Sequence, residues 1–306
     1  MQLVRFASPG GHSPRLGRLD GGQVVPLPRE QSVAGLLALP LPAIRELCEA
    51  PGGDPLPVTA VTLLAPADGL TEVWAAGVTY ERSRAARVAE SEHEADIYER
   101  VYGAARPELF FKSAAWRVAG PGGPVSVRAD SAIDVPEPEL AAVLNAGGEI
   151  VGYTICNDMS SRSIEGENPL YLPQAKIYLG GCALGPGIRP AWEVPDPYAL
   201  TIEMAIHRGG EAGGSEGSSP RASTVVWQDR ASTAGLRRRV PELAEFLFRE
   251  DEFPGGVVLS TGTSVVPELP FTLQSGDEVR IRISELGELA NPVVRGKAAV
   301  RQPHRA

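Results

Sequence analysis

VPEPELAAVL (135–144) and IVGYTICND (150–158) decide how this chain is read. Leu140–Leu144 and the whole of 150–158 are short apolar runs of strand length, bounded by prolines, glycines and charged residues. Pro138 has no N–H to give to a ladder, so it starts a strand or lies on an edge. In extended chain Glu137 and Glu139 project to one face, roughly 6–7 Å apart along the strand. Two carboxylates on one face repel unless a cation sits between them. Asp158 ends the second strand. An all-carboxylate set of this kind suits a hard divalent ion such as Mg²⁺, which takes oxygen ligands and keeps positions open for water or substrate. The competing reading is two solvent-facing glutamates and a turn aspartate.

Working outward, the same short-run pattern recurs. VTLLAP (61–66) and VWAAGV (73–78) read as buried strands, and LFF (109–111) as a short strand ending at Lys112. VSVR (125–128) reads as another strand. LTIEMAIHR (200–208) and EVRIRISELG (278–287) alternate apolar and polar residues, as half-buried strands do. Helical spacing appears in Ser32–Glu49, divided by Pro40 and Pro42, and in PELAEFLFR (241–249). Tyr80–Tyr102 is charged, nearly free of breakers, and reads as a helical excursion over the molecule, either a surface helix or a lid. GGEAGGSEGSS (209–219) reads as a surface loop. Residues 1–65 form a small N-terminal domain, with LVRFA (3–7) and QVVPL (23–27) as strands, joined through PGGDPLP (51–57) to a larger unit at 66–306. Strands outnumber helices and show no βαβ alternation, so the fold class is mainly β with some α, and a doubly wound nucleotide fold is excluded.

Composition narrows the function. The 306 residues carry 29 Lys+Arg against 38 Asp+Glu, a net charge of −9 that argues against bulk nucleic-acid binding. No apolar run reaches the ~18 residues of a membrane span, and the first fifteen residues lack a signal-peptide core. Three scattered cysteines without a CxxC point to a reducing, cytoplasmic setting. No phosphate-binding loop, GxGxxG, GxSxG or HExxH is present. With only four histidines, the acid–base work falls to a carboxylate, a lysine or water. The chain has three lysines (Lys112, Lys176 and Lys297), and the first two lie beside apolar residues. Thr261-Gly262-Thr263 is either a plain turn or an anion-facing array of hydroxyls and N–H groups. Arg162, Glu165, Glu167 and Asn168 follow Asp158 as a polar cluster, either supporting the acidic residues or simply solvated.

GVTYERS (77–83), RPELFFK (106–112), VPEPELAAVL (135–144), GYTICNDMSSRS (152–163) and TGT (261–263) together resemble the fumarylacetoacetate hydrolase family, over about residues 70–295. EGENPLYLPQAKIY (165–178) resembles its sugar-acid dehydratase branch. The resemblance implies a mixed β-sandwich roll after the small N-terminal domain, assembled as a homodimer or homotetramer. It implies Glu137, Glu139 and Asp158 as ligands of a divalent metal, Mg²⁺ first, with Mn²⁺ or Ca²⁺ as substitutes. Lys176 then contacts a bound keto acid, Glu108 serves as the acid or base, and Lys112, Thr261 and Thr263 line the substrate cavity, with Tyr80 and Ser83 in the lid. The implied reaction converts a 2-keto-3-deoxy-pentonate to 2,5-dioxopentanoate. Hydrolases of the family commonly carry a water-activating His where this chain has Ser83, which favours elimination over C–C hydrolysis. Two alternatives stay open: a hydrolase or decarboxylase of acylpyruvates or β-keto acids, and a non-catalytic sugar-acid-binding protein.

Overall fold

The computed structural model describes residues 1–10, 13–29, 31–81, 100–209 and 223–301. Among them an eleven-stranded and a five-stranded sheet dominate. The spine of the larger sheet runs, in spatial order, through Gln2–Ala7, Cys182–Pro190, Ile150–Asp158, Pro138–Leu144, Val257–Ser260, Glu72–Gly77 and Glu108–Ala114. Neighbours are antiparallel except Val257–Ser260 with Glu72–Gly77. The smaller sheet runs Thr224–Ser232, Thr201–Arg208, Glu278–Ile283, Gly287–Arg295 and Val125–Val127. The molecule is mainly β, as its sequence implies.

The central strands are apolar throughout because both of their faces are covered. Leu140, Ala142 and Leu144 point toward Ile202, Met204, Ile206 and Ile281 of the smaller sheet. Ala141 and Val143 point the other way, against Leu36, Leu37, Ile44 and Cys48 of the two helices Val33–Leu37 and Leu41–Glu49. Every residue of Pro138–Leu144 is therefore buried. At ~1.5–3 kcal/mol for each fully buried large aliphatic side chain, this layer is a main source of stability. Thr201–Arg208 and Glu278–Ile283 alternate instead, because one face of the smaller sheet meets solvent.

Local chemistry sets the helix ends. Ser32 caps the first helix, its Oγ accepting from Gly35 N at 2.9 Å, while Asp68 accepts from the N–H groups of Val33 and Ala34. Pro40 precedes the second helix and divides the pair. Strand Gln2–Ala7 joins the larger sheet directly, with Leu3 opposite Ile188. The 61–66 stretch differs from its sequence reading. Its strand is Thr62–Leu64, and none of its residues is fully buried, because it hangs on Gln2–Ala7 outside the spine. Tyr80 is 2% exposed and bridges to Leu236, so it sits inside the fold as an anchor and not on a mobile flap. Ser83 and most of the 80–102 excursion lie outside the described residues, as does most of the 209–219 loop.

Candidate active site

Strand register assembles the acidic cluster. Pro138 faces Asn157 and Glu139 faces Cys156, which puts Glu137 across from Asp158. The Asp158 N–H donates to Glu137 O at 2.9 Å and closes the strand ends. With a side-chain period of two, Glu137, Glu139 and Asp158 share one face of the sheet. One oxygen from each lies within 4.8 Å of the others, and all three residues are buried.

Such a cluster is costly unless its charge is answered. Lys176 Nζ donates to Glu137 Oε2 at 2.7 Å, Asp158 Oδ2 at 3.2 Å and Ser160 Oγ at 2.6 Å. Arg162 reaches Glu137 Oε1 at 3.0 Å, and Glu165 at 3.9 Å. Lys112 pairs with Asp158 Oδ1 and donates to Met159 O and Lys176 O. Glu139 is held by neutral donors: Ser260 Oγ at 2.5 Å and Gly262 N at 2.8 Å, both on Oε2. Burial above all, then the nearby Asp158, pushes the Glu139 carboxyl well above its ordinary value. The Tyr80 phenol is likewise pushed up, by burial and by Glu139. Lys112, Lys176 and Arg162 thus sit directly against the carboxylates of Glu137, Asp158 and Glu165. One oxygen from each of Glu137, Glu139 and Asp158 lies close enough to the others to share a single divalent cation. The donors are hard oxygens, so the residues present fit such an ion.

The cluster opens on a cavity of about 90 Å³ whose walls include Glu108, Phe110, Glu165, Lys176, Gly262 and Thr263. Glu108 starts the Glu108–Ala114 strand opposite Gly77, and its carboxylate lies over that glycine. A Cβ on residue 77 would stand 2.2 Å from Glu108 Oε2, so only glycine leaves this carboxylate its place. Val78, also on the wall, has φ 52°, a left-handed conformation that β-branched residues avoid and that recurs at functional sites.

Two residues are placed otherwise than the resemblance implies. Lys112 has a 0% exposed side chain paired with Asp158 and is not among the residues of the cavity wall, which places it as a counter-ion to Asp158. Thr261 is fully buried and gives its hydroxyl to Leu140 O at 2.8 Å, leaving Gly262 and Thr263 to face the cavity. Lys176, Glu108 and Thr263 all reach the cavity wall. Of the polar cluster after Asp158, Arg162 and Glu165 are buried in the site, while Asn168 accepts from Leu170 N in a turn. Gly77 and Ser160 lie in the stretches that carry the family resemblance but receive no role there, and Ser260 carries no signal. Gly77 offers one, a glycine inside a strand, which marks a close approach.

A model of the fumarylacetoacetate hydrolase C-terminal region matches residues 72–294, and the chain belongs to the fumarylacetoacetate hydrolase family. Within the family it is 49% identical over 222 residues to a probable 2-keto-3-deoxyxylonate dehydratase of Haloferax volcanii, covering 72% of each chain. It is 42% identical over 225 residues to the 2-dehydro-3-deoxy-D-arabinonate dehydratase of Saccharolobus solfataricus, covering 72% of this chain and 71% of that one. A solved 2-keto-3-deoxy-D-arabinonate dehydratase, complexed with magnesium and 2,5-dioxopentanoate, superposes with a TM-score of 0.79 at 35% identity. That comparison covers 97% of this chain and all of the other.

Proposed function

We propose that this protein is a hydro-lyase that converts a 2-keto-3-deoxy-pentonate to 2,5-dioxopentanoate with the help of Mg²⁺. The observation that carries the reading is the buried Glu137–Glu139–Asp158 cluster, with one oxygen of each within 4.8 Å of the others, opening on a cavity walled by Glu108 and Lys176. Its relatives at 49% and 42% identity are named as dehydratases of this substrate class.

A divalent cation held by Glu137, Glu139 and Asp158 would supply Lewis-acid polarisation of the substrate's C2 keto group and carboxylate. Lys176 lends positive charge to the same end of the cavity, where negative charge develops on the keto oxygen as the C3 proton leaves. Glu108 takes that proton. The C4–O bond then breaks and the hydroxyl departs as water with the proton that Glu108 took, leaving a C3–C4 double bond. A proton leaves C5, one returns at C3, and the resulting enol takes a proton at C4 and gives up its hydroxyl proton to leave the C5 aldehyde. Electrons stay within the substrate, so no redox cofactor is consumed. Arg162 keeps Glu137 oriented, and Thr263 faces the substrate. Val78 and Phe110 make part of the wall apolar, which limits water around the reacting carbons.

The chain end at residues 1–65 is proposed as a separate domain in origin, since the family model begins at residue 72. The described residues contain no helix long and apolar enough to cross a membrane. Cys48, Cys156 and Cys182 are free and buried, which supports a cytoplasmic setting. A homodimer or homotetramer is proposed as the assembly. Trp116, 76% exposed, and Leu170, 83% exposed, are apolar surface that a second copy would cover.

Product analysis tests the reading against its hydrolase and decarboxylase alternative. Carbon NMR of the protein with 2-keto-3-deoxy-pentonate, an acylpyruvate and oxaloacetate should show 2,5-dioxopentanoate from the first and no cleavage or CO₂ from the others. Cleavage of the acylpyruvate at a comparable rate would overturn it.

A further inference from the structure

We infer that Thr79 is a positioning residue for the proposed metal ligand Glu139 and acts on it through a single peptide group. The inference rests on the cation-binding reading of the acidic cluster given above.

Thr79 is fully buried, and its Oγ donates to Thr261 O at 2.6 Å. The N–H of Gly262, which donates to Glu139 Oε2 at 2.8 Å, belongs to the same peptide unit as that carbonyl. In a trans peptide the C=O and N–H point in opposite directions. The Thr79 hydroxyl and the Glu139 carboxylate therefore hold the two ends of one rigid plane. A donor on the carbonyl fixes the tilt of the plane, and it also polarises the amide so that its N–H is a better donor. Ser260 Oγ supplies the second bond to the same Oε2. Together the two donors fix the torsion of the carboxylate, and with it the position of the other oxygen.

The surrounding backbone is built to keep Thr79 in place. Its own carbonyl accepts from Arg237 N at 3.0 Å, and the residue before it, Val78, is strained at φ 52°. Gly262, at φ +90°, has no room for a side chain, because a Cβ there would lie 2.0 Å from Thr79 Oγ. A glycine turn, a strained neighbour and a buried hydroxyl thus converge on one peptide whose N–H serves Glu139. Partners one step behind a metal ligand, as the Gly262 N–H is here, typically set metal affinity by 10–100-fold, and Thr79 holds that partner in place.

The test is Mn²⁺ binding to the metal-stripped full-length protein by titration calorimetry, without substrate. Thr79→Val keeps the shape and removes the donor; it should weaken Mn²⁺ binding by about tenfold or more. Thr79→Ser restores the hydroxyl and should stay within about threefold of wild type. Thr71→Val is the control. Thr71 makes the same kind of buried bond, to Gly255 O at 2.9 Å, away from the cluster, and its loss should leave the affinity unchanged. Thr79→Val binding within about threefold of wild type overturns the inference, and so does an equal loss in Thr71→Val. If Thr79→Val does not fold, Thr79→Cys decides. Its thiol is a weak donor, so affinity should fall several-fold, and wild-type affinity would overturn the inference. A wild-type protein that binds no Mn²⁺ would overturn the cation-binding reading itself, and this inference with it.

Discussion

Gly77→Ala isolates the role of Glu108 without touching any charged group. The added methyl would stand 2.2 Å from Glu108 Oε2 and 2.7 Å from its carboxyl carbon. Ordinary contact between such atoms is about 3.5 Å, so the carboxylate must retreat by about 1 Å. Glu108 is a flexible side chain on an edge strand, so the fold absorbs the change. A misplacement of about 1 Å in a reacting group costs about 100-fold in rate. Turnover of 2-keto-3-deoxy-pentonate should therefore fall by about two orders of magnitude, while Mn²⁺ affinity and thermal stability stay near wild type. Glu108→Gln should behave the same way, folded and metal-competent but inactive. Turnover of Gly77→Ala within about threefold of wild type would refute the assignment of proton transfer to Glu108 in this position.

Glu139→Gln should abolish Mn²⁺ binding and turnover together while circular dichroism shows the native fold. Lys112→Met removes the buried partner of Asp158, and urea unfolding should show a loss of about 3–5 kcal/mol in the metal-free protein. A loss below about 1 kcal/mol would mean the ion pair is not sealed from water. The raised Glu139 carboxyl makes the metal-free native state hold a proton that the unfolded chain has already released. Stability of the metal-free protein should then fall as pH rises from about 4.3 toward the raised native value, by at most ~1.4 kcal/mol per pH unit. Over the same window Mn²⁺ affinity should rise with pH, because binding must displace that proton, and in Glu139→Gln the stability slope should vanish.

The cluster was legible because its signal is local. Glu137 and Glu139 are two apart in extended chain, and Asp158 ends an apolar run. Leu140–Leu144 was legible because a strand covered on both faces must be apolar throughout. Strand Thr224–Ser232 escaped sequence reading, since it lies at a sheet edge and its residues, Gln228, Asp229 and Arg230 among them, look like a solvated loop. The place of Lys112 was hidden for a related reason. Glu108, Phe110 and Lys112 share a face by alternation, but nothing local tells that the lysine ends under Asp158 while the glutamate ends in the cavity. Gly77, Ser260 and Thr79 matter through contacts with residues far away in sequence, which no spacing encodes. The Thr79 hydroxyl meets Thr261 O across 182 positions.

The central claim is that the acidic cluster holds the cation that enables dehydration. Metal-stripped protein should be mixed with 2-keto-3-deoxy-D-pentonate and 2,5-dioxopentanoate followed through an aldehyde dehydrogenase that reduces NADP⁺. The account predicts no signal before Mg²⁺ is added, sustained turnover after it, and no recovery by Mg²⁺ in Glu139→Gln. Turnover that is equal with and without Mg²⁺ in fully stripped wild-type protein would contradict it.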